Sequence, residues 1–424
     1  MTGIILALTS FLLFLTRILG VRQMMLAVML VRPACDRAFD WLKAASEQQT
    51  GPGAAINALV IAIAIVTIIH VPGIVLSAPL LAWASVLLTA AASLVHAPDP
   101  SGGLRDLLAL FTYAAVFTLP YALVRTKKMA TQCLVVALCS SAVPSIFALL
   151  ELAMQSDILT GEQRLQSTFT HPNIYAFYIV SVVTVILYML CSANFKLSPI
   201  RRRAVLAYAG FLLFLLLLTK ARSAWLSMVI ITAGYAVLVD RRWLLAVLCL
   251  PILLLFPAVG ERLSDLKSGT VAVGFEQLNS LAWREVLWND TLEWLTSNPP
   301  GLNGYGLNSY KAYVPLFFSR GDGQVRIGPH NAILQIYFEM GMAGLASFSL
   351  LWATVALKVL STWSTDLRGA LTMSFLCAGY IVMCYSDNLL DYLQFQWFFW
   401  FIMGTITASA RLAPRPSQAR FAVA

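Results

Sequence analysis

The sequence predicts an all-α polytopic integral membrane protein, and three observations carry that prediction. Of the 424 residues, 59% are hydrophobic and only 12% are charged, whereas a soluble globular domain carries roughly 25% charged residues. Apolar runs long enough to cross a bilayer, about 20 residues each, recur along the whole chain. The basic residues collect in the polar segments between these runs, as they do in membrane proteins.

Length and apolar composition place about 12 transmembrane helices along the chain. The first two apolar runs are short and are broken by Arg17 and Arg22. They form either one irregular crossing or two, so the total is about 12 or 13. No basic region precedes the first run, which is therefore interpreted as a retained span and not as a cleaved signal. The predicted spans are 3–19, 21–33, 54–71, 75–97, 104–124, 130–151, 173–192, 203–219, 222–239, 242–258, 332–357, 368–387 and 391–410.

The net charge of +9 is explained better by the positive-inside rule than by nucleic-acid binding. Simple alternation of the spans places the basic clusters and the basic tail on the cytoplasmic side. The opposite, outer face then receives four segments: 152–172, 219–222, 259–329 and 387–391. This divides the chain into N-terminal membrane helices, a long outer loop, and C-terminal membrane helices with a cytoplasmic tail, over 1–258, 259–329 and 330–424.

Of the outer segments, only the long loop has room for a small extramembrane subdomain. An amphipathic helix is expected there from about 278 to 296. The Asn298-Pro-Pro-Gly301 sequence ends that helix. The stretch LNGYGLNSY follows as a loop, which either brings backbone close to a ligand or is simply a turn. The apolar face of the helix consists of Leu278, Leu281, Ala282, Leu287, Leu292 and Leu295.

Motifs for nucleotide and metal chemistry are absent from the sequence. There is no P-loop, no D-x-D and no His/Glu spacing for a catalytic metal. The 7 Cys stand singly, without metal or redox spacing, and are expected to be buried apolar residues. A reaction on the outer face needs a preactivated substrate, and a lipid-linked pyrophosphate fits. Arg and Lys side chains can stabilise its leaving group without a metal, so no cofactor is expected.

One of the 4 His, His330, stands directly before a long apolar helix and follows Gly328 and Pro329. This places it at the outer membrane boundary near the positive end of a helix dipole, which disfavours the imidazolium and attracts anions. A neutral imidazole beside a bound anion can act as a general base. The alternative is an interfacial His that caps loop carbonyls. Arg326 is close enough in sequence to join an anion site.

Four further cations are candidates for binding an anion on the same face. Lys220 and Arg222 stand at an outer turn against the positive-inside trend, and charges near hydrocarbon tend to be functional. Snorkelling to lipid headgroups is the alternative, and it suits Lys220 better. Trp288 follows Arg284 by one helical turn. Arg284 either contacts a pyrophosphate through its planar guanidinium group or is an ordinary interfacial anchor. Arg164 is the fourth cation.

Two other polar groups border this face. His171 is interpreted as structural, at a helix N-terminus capped by Asn173, because one general base suffices. Asp387, Asn388 and Asp391 either hold an imidazole or bind sugar hydroxyls, or they only cap and join two helices.

In their order along the chain, these motifs resemble the O-antigen ligase superfamily, which also includes O-antigen polymerases and protein O-oligosaccharyltransferases. The resemblance extends from about Arg164 to Asp391. It implies a membrane-embedded fold like that of GT-C-type glycosyltransferases, in the bacterial inner membrane with the active site facing the periplasm. It is carried by TFTHPN, the KARSAWL turn, Arg284 to Trp288 followed by NPPGLNGYG, and HNAILQIYFEMGMAGL.

The resemblance also implies an activity and residue roles. Family members take a glycan from undecaprenyl pyrophosphate without a metal, and ligases attach it to the lipid A–core acceptor. Carried over, His330 activates the acceptor hydroxyl, and Arg222 and Arg284 bind the pyrophosphate, with Arg164 and Lys220 as weaker candidates. Inversion at the anomeric carbon is expected. The implied partners are this donor, this acceptor and membrane lipids, with no nucleic acid.

Two other functions stay open at this point. A polymerase or a protein-glycosylating enzyme uses the same donor and differs only in its acceptor, although the modest length and lack of a large soluble C-terminal domain favour a ligase. A transporter of the lipid-linked glycan places paired ionisable residues near the midplane of the membrane. The spans after residue 130 are nearly free of charge in their central parts, which favours chemistry at the interface.

Overall fold

The computed structural model describes residues 2–45, 52–155, 157–160, 163–245, 260, 280–319 and 326–412. Within these ranges the chain is helical and has no β-strand, which confirms the all-α prediction. Short 3-10 helices cover Arg32–Ala34, Pro72–Ile74, Arg241–Trp243 and Leu389–Asp391. The α-helices are α1 (Thr2–Leu19), α2 (Val21–Val31), α3 (Asp36–Ala45), α4 (Gly53–His70), α5 (Ala78–Leu94), α6 (Pro100–Leu123), α7 (Lys127–Cys139), α8 (Ala142–Met154), α9 (Asp157–Thr160), α10 (Pro172–Cys191), α11 (Pro199–Leu218), α12 (Arg222–Leu238), α13 (Ser280–Ser297), α14 (Tyr310–Phe317), α15 (Ala332–Leu360), α16 (Trp363–Ser386) and α17 (Leu393–Ala410).

Among the described residues, 6 helical segments are long and apolar enough to cross a membrane. Three shorter apolar segments accompany them: Thr9–Leu19, Ala78–Leu94 and Arg222–Leu238. These segments support a membrane protein, while the total of about 12 crossings and the likeness to GT-C-type enzymes stay predictions. The predicted span 242–258 lies mostly outside the described residues. The six segments are Gly53–His70, Pro100–Leu123, Lys127–Met154, Pro172–Cys191, Ala332–Leu360 and Trp363–Ser386.

The span predicted over 130–151 is not one helix but the pair α7 and α8. The break falls at Ser140 and Ser141, whose hydroxyl groups donate to the carbonyls of Ala137 and Leu138 at 2.7 and 2.6 Å. Hydrogen bonds of this kind from a side chain to the preceding turn compete with the helical ladder. Hydropathy alone could not show the break, because both helices are apolar.

Helix α15 is also interrupted, at Gly341, where φ is 64° and ψ is −160°. The predicted span 332–357 is therefore not one straight helix. The loop at Gly304 packs directly on this break: a Cβ at Gly304 would lie 2.3 Å from the carbonyl oxygen of Glu339, and a Cβ at Gly341 would lie 2.5 Å from the nitrogen of Gly304. The glycines of the LNGYG stretch therefore allow its backbone to pack directly on the backbone of α15. This packing is a structural role for the motif and the alternative to contact with a ligand.

The centre of the helix bundle is formed by α10 and α17, whose side chains are almost all buried. A helix that is apolar on every side is expected at such a position. Aromatic rings fill the contacts around α17. The rings of Trp83 and Trp400 meet edge to face with centroids 4.7 Å apart, and those of Tyr380 and Phe399 are 4.2 Å apart.

A second, separate apolar cluster joins the outer segment to the start of α15. The helix expected over about 278–296 is confirmed as α13, but its predicted face is wrong in part. Leu292 is 52% exposed, whereas Thr291 is fully buried and donates to the carbonyl of Leu287 at 2.6 Å. The buried residues recur every fourth position, and Leu278 lies outside the described residues. The cluster comprises Leu287, Leu295, Tyr310, Val314, Phe318, Leu334 and Phe338.

One end of the bundle gathers the four segments that were predicted to share the outer face. The backbone N–H of Leu165, before α10, donates to the carbonyl of Leu218, after which α11 ends, at 3.1 Å. Arg284 of α13 donates to the carbonyl of Ser386, the last residue of α16, at 2.7 Å. We call this end of the bundle the site end. The opposite end is basic, and one cavity there is lined by Arg202, Arg241, Arg242 and Arg368.

Candidate active site

The backbone at His330 is held in the left-handed region, with φ 48°. Its N–H donates to Oδ1 of Asn388 at 2.6 Å, so a neighbouring segment fixes a conformation that non-glycine residues seldom adopt. Asn388 can approach because residue 328 is a glycine: a Cβ on Gly328 would lie 2.5 Å from the amide nitrogen of Asn388. Asn331 caps α15, accepting from the next helical N–H groups at 3.0 Å.

The imidazole of His330 is oriented by two side chains. Its Nδ1 lies 3.4 Å from a carboxylate oxygen of Asp387, and its ring meets the indole of Trp283 edge to face with centroids 5.5 Å apart. The side chain remains 28% exposed. A carboxylate at Nδ1 favours the tautomer with a proton there, which leaves Nε2 to accept one from a substrate.

Asp387 is the most strongly connected group of the site. Its side chain is 1% exposed, and it accepts from the hydroxyl of Tyr392 at 2.8 Å, from the backbone N–H of Asn388 at 3.0 Å and from the amide of Asn173. Burial acts to raise the pKa of Asp387, but the contact with His330, the charge of Arg284 and the other hydrogen bonds lower it overall. The carboxylate is therefore ionised at neutral pH.

Arg284 and Trp288 face the same way from α13, as their spacing predicted. The guanidinium of Arg284 donates to the carbonyl of Ser386, directly before Asp387. The indole N–H of Trp288 donates to the carbonyl of Pro329, directly before His330, at 2.7 Å. The two residues therefore bind the ends of both segments that build the site.

Arg164 and Lys220 lie on the other side of Asp387. Arg164 donates through Nε to the carbonyl of Thr219 at 2.8 Å and through Nη2 to Asn173. Lys220 is 4% exposed and donates to the carbonyl of Gln163. The snorkelling interpretation of Lys220 is therefore wrong, because the ammonium is buried under the loop before α10 and does not extend to lipid headgroups.

The two remaining predicted cations are Arg222 and Arg326. Arg222 is the first residue of α12 and is half-buried. It belongs to the same turn as Lys220 and Thr219, and Thr219 is tied to Arg164. Arg326 is exposed.

His171 caps α10 itself, which corrects the prediction that Asn173 does so. Its Nδ1 accepts from the backbone N–H of Asn173 at 3.1 Å, so the ring nitrogen is occupied by a structural contact. Partial desolvation and the charge of Arg164 lower the pKa of His171, although Asp387 acts in the opposite sense. The ring also lies over Tyr392, with centroids 6.0 Å apart.

Asn173 and Tyr392 complete the site. Asn173 was predicted only as a helix cap, and Tyr392 had no predicted role. Asn173 bridges Arg164 and Asp387 with its amide group. One signal was available: both residues are polar groups at a helix start on the predicted outer face.

The connected groups form a chain of contacts that joins every outer segment. Asp387 links Arg284 and His330 on one side to Asn173 and Arg164 on the other. This arrangement supplies one imidazole with an oriented ring and several guanidinium groups at the same end of the bundle. Such a set can remove a proton from a hydroxyl group and hold a phosphate anion by bidentate contacts.

Comparison with known proteins gave one family match. A search of curated proteins found no match. Residues 207–349 match the family model described as O-Antigen ligase. The matched segment contains Lys220, Arg222, Arg284, Arg326 and His330, and it ends before Asp387. The match confirms that this chain resembles the O-antigen ligase superfamily.

Proposed function

We propose that the protein is an O-antigen ligase of the bacterial inner membrane. It transfers the O-antigen glycan from undecaprenyl pyrophosphate to the lipid A–core oligosaccharide at the periplasmic face, without a metal. The family match supports a glycosyltransferase-like enzyme that acts on a lipid-linked glycan and a lipid acceptor. The site end of the bundle would then face the periplasm, and the basic opposite end the cytoplasm.

The observation that carries the proposal is the position of His330 between Asp387 and Trp283. The carboxylate at Nδ1 and the edge of the indole fix the plane of the ring, so that Nε2 has a defined direction. Orientation of a general base by a third group is a feature of sites that activate hydroxyl groups. An imidazole that only capped loop carbonyls would not need this support.

In the proposed reaction, Nε2 of His330 accepts the proton of an acceptor hydroxyl group. The acceptor oxygen forms a bond to the anomeric carbon, and the bond from that carbon to the phosphate oxygen breaks. Undecaprenyl pyrophosphate leaves with the electron pair, and attack from the opposite face inverts the anomeric centre. Arg284 and Arg222 stabilise the charge of the leaving group, with Arg164 and Lys220 supporting them and Arg326 at the rim.

The distribution of buried charge favours an enzyme over a transporter. Among the described residues, the buried charged side chains lie near helix ends, except Glu339, which lies two residues before the break in α15. A transporter of an anionic glycolipid needs such groups near the midplane. The buried charged residues are Arg32, Asp36, Lys220, Glu339, Asp366 and Asp387.

The test is transfer by the purified protein in detergent, with lipid-linked glycan and lipid A–core as substrates. We expect product without nucleotide and in the presence of a chelator. His330→Ala should abolish transfer, and the matched variant His70→Ala, at an exposed His remote from the site end, should retain it. Equal activity of the two variants contradicts the proposal, and movement of the glycan across a bilayer without transfer supports a transporter.

The acceptor is identified by the lipopolysaccharide of a deletion strain. Lipid A–core without O-chains indicates a ligase. Core that carries a single repeat indicates a polymerase, and normal O-chains with an unglycosylated protein indicate a protein-modifying enzyme.

A further inference from the structure

A cavity of about 300 Å³ lies next to the site, between the N-terminal helices and the turn before α17. The family resemblance does not extend to the first hundred residues, yet they supply more than half of the residues that line the cavity. Polar side chains contribute from the 3-10 helix Arg32–Ala34, from α3, from the start of α4, from the loop before α10 and from the start of α17. They include Arg32, Asp36, Asp40, Asn57, Thr170 and Gln394.

The cavity directly adjoins the groups around His330. Thr170 precedes His171, and Asp391 of the cavity wall precedes Tyr392. The rings of His171 and Tyr392 face each other, and the Tyr392 hydroxyl donates to Asp387. One layer of side chains therefore separates the cavity from the imidazole-bearing site.

Two polar groups in the wall have unused hydrogen-bonding capacity. The side chain of Arg32 is 2% exposed, and its Nη1 lies 3.8 Å from Asp36, but Nε and Nη1 have no hydrogen-bond partner among the described residues. In the same part of the chain, Oδ1 of Asn57 also has none. A buried polar atom left unpaired costs about 1–3 kcal/mol, so such atoms call for an explanation. A ligand in the cavity supplies one.

Hydrogen bonds of Asp36 hold the segments of the cavity wall in place. Its carboxylate accepts from the backbone and the hydroxyl of Thr170, both at 3.2 Å, and from the amide of Gln394. Three segments far apart in sequence are joined by this one side chain. Arg32 in turn is held over the rings of Phe39 and Trp397, 5.6 and 5.4 Å from their centroids.

The chemistry of the lining fits a sugar ring. Phe39, Ile174 and Leu393 provide apolar surface for the C–H face of a pyranose, and the amide, hydroxyl and guanidinium groups can pair with its hydroxyl groups. Ligand sites commonly combine apolar walls with a few polar groups of this kind.

The charge of the lining indicates which substrate supplies that sugar. Three carboxylates, Asp36, Asp40 and Asp391, line the cavity together with the guanidinium of Arg32. Asp391 is also paired with Lys311 at 3.4 Å, but the carboxylates still outnumber the cations, so the cavity disfavours a phosphate group. None of the cations proposed for the pyrophosphate, Arg164 and Arg284 among them, lines the cavity. The donor pyrophosphate is therefore assigned to a region outside the cavity.

We propose that the cavity bounded by Arg32, Asp36, Asp40, Asn57, Thr170 and Gln394 is the subsite for an uncharged sugar of the acceptor glycan. The assignment of the sugar to the acceptor glycan rests on the proposed function. Binding of a sugar by the cavity can be tested separately. The cavity sets acceptor affinity and contributes no group to the reaction.

The test uses the full-length protein in detergent and two probes: core oligosaccharide freed of lipid A, and undecaprenyl pyrophosphate. Dissociation constants are measured by calorimetry for the wild type, Asn57→Ala, Asp40→Ala and His330→Ala. Asn298→Ala, at an exposed residue of the outer segment, is the matched control. Thermal unfolding is recorded for each variant. Asn57→Ala removes an unpaired oxygen, so it should leave stability unchanged or raise it.

We expect Asn57→Ala to weaken core oligosaccharide binding about fivefold, as loss of one hydrogen bond does. It should raise the acceptor KM equally and leave kcat and the donor KM unchanged. His330→Ala should bind the oligosaccharide normally but transfer nothing. Unchanged acceptor binding in both cavity variants, or a rise in the donor KM alone, overturns the inference. Absence of transfer by the wild type with normal oligosaccharide binding overturns the proposed function instead.

Discussion

The carboxylate of Asp387 lies 3.4 Å from Nδ1 of His330, although the two residues are 57 positions apart in the sequence. The same carboxylate accepts from Tyr392 and Asn173, so its position is fixed independently of the imidazole. In the proposed reaction, Asp387 is a positioning residue: it orients the base and stabilises the imidazolium that forms, and it does not contact the substrate.

Asp387→Asn should therefore reduce turnover with little effect on substrate binding. The amide can offer its N–H to the imidazole and favour the wrong tautomer, so we expect kcat to fall by about 100-fold or more, the range of general-base contributions. The measurement is kcat and KM for both substrates. Glu293→Gln, on the exposed surface of α13, is the charge-matched control. A purely structural role of Asp387 would lower the amount of folded protein and leave kcat per active site unchanged.

The lowered pKa of Asp387 also predicts how stability depends on pH. Because its folded-state pKa is below the unfolded value of about 3.9, the ionised group stabilises the protein fully above that pH. The contribution is lost as pH falls through the folded value. The difference in melting temperature between wild type and Asp387→Asn should thus shrink as the pH falls below about 4. A difference that grows below about pH 4 would contradict this assignment.

Arg284 should be more sensitive to replacement than Arg326. Arg284→Lys keeps the charge but loses the planar fork, and we expect kcat/KM for the donor to fall about tenfold, or about 1.4 kcal/mol. Arg326 is exposed, so Arg326→Ala should have a much smaller effect. Since Arg284 also donates to Ser386, thermal unfolding must accompany the kinetics. Equal losses for the two variants would contradict the assignment of Arg284 to the pyrophosphate.

The positions of the helices could be predicted because a membrane span has a required length and composition. The breaks within them could not, because Ser140 and Gly341 stand in runs that are apolar on both sides. The exposed Leu292 was assigned to the buried face for a related reason. Hydrophobicity does not distinguish a side chain buried against protein from one in contact with lipid or the interface. Conversely, the polar Thr291 can be buried because its hydroxyl group donates to a carbonyl of its own helix.

The candidate site could be predicted as a set of residues on one face, but its contacts could not. Alternation of the spans was enough to place Arg164, Arg284, His330 and Asp387 on the same side. Their pairing depends on how the helices pack around α10 and α17, and no local pattern encodes that. Asn173 illustrates the limit, since its sequence context indicates a helix cap and its actual partners are two charged side chains.

Gly328 should be needed for the geometry of His330 and not for folding in general. A methyl group at this position would displace the amide of Asn388, which holds the backbone of His330. We expect Gly328→Ala and Asn388→Ala each to lower kcat by about tenfold, a loss of roughly 1.4 kcal/mol. The double variant is the control: if glycine acts through Asn388, its effect should be no greater than that of Asn388→Ala alone. Additive losses would assign Gly328 a separate role.

Gly341 should be needed for the fold itself. Its positive φ and the approach of the Gly304 backbone leave no room for a side chain, and a strained left-handed residue alone costs about 1–3 kcal/mol. Gly341→Ala should therefore lower the melting temperature and the yield of folded protein. Gly210→Ala is the matched control, because this glycine lies in helix α11 with nothing within 4 Å of an added Cβ. Alanine there should stabilise the helix by about 0.5–1 kcal/mol. If both variants change the melting temperature in the same direction, the contact between Gly304 and Gly341 does not hold the outer segment on α15.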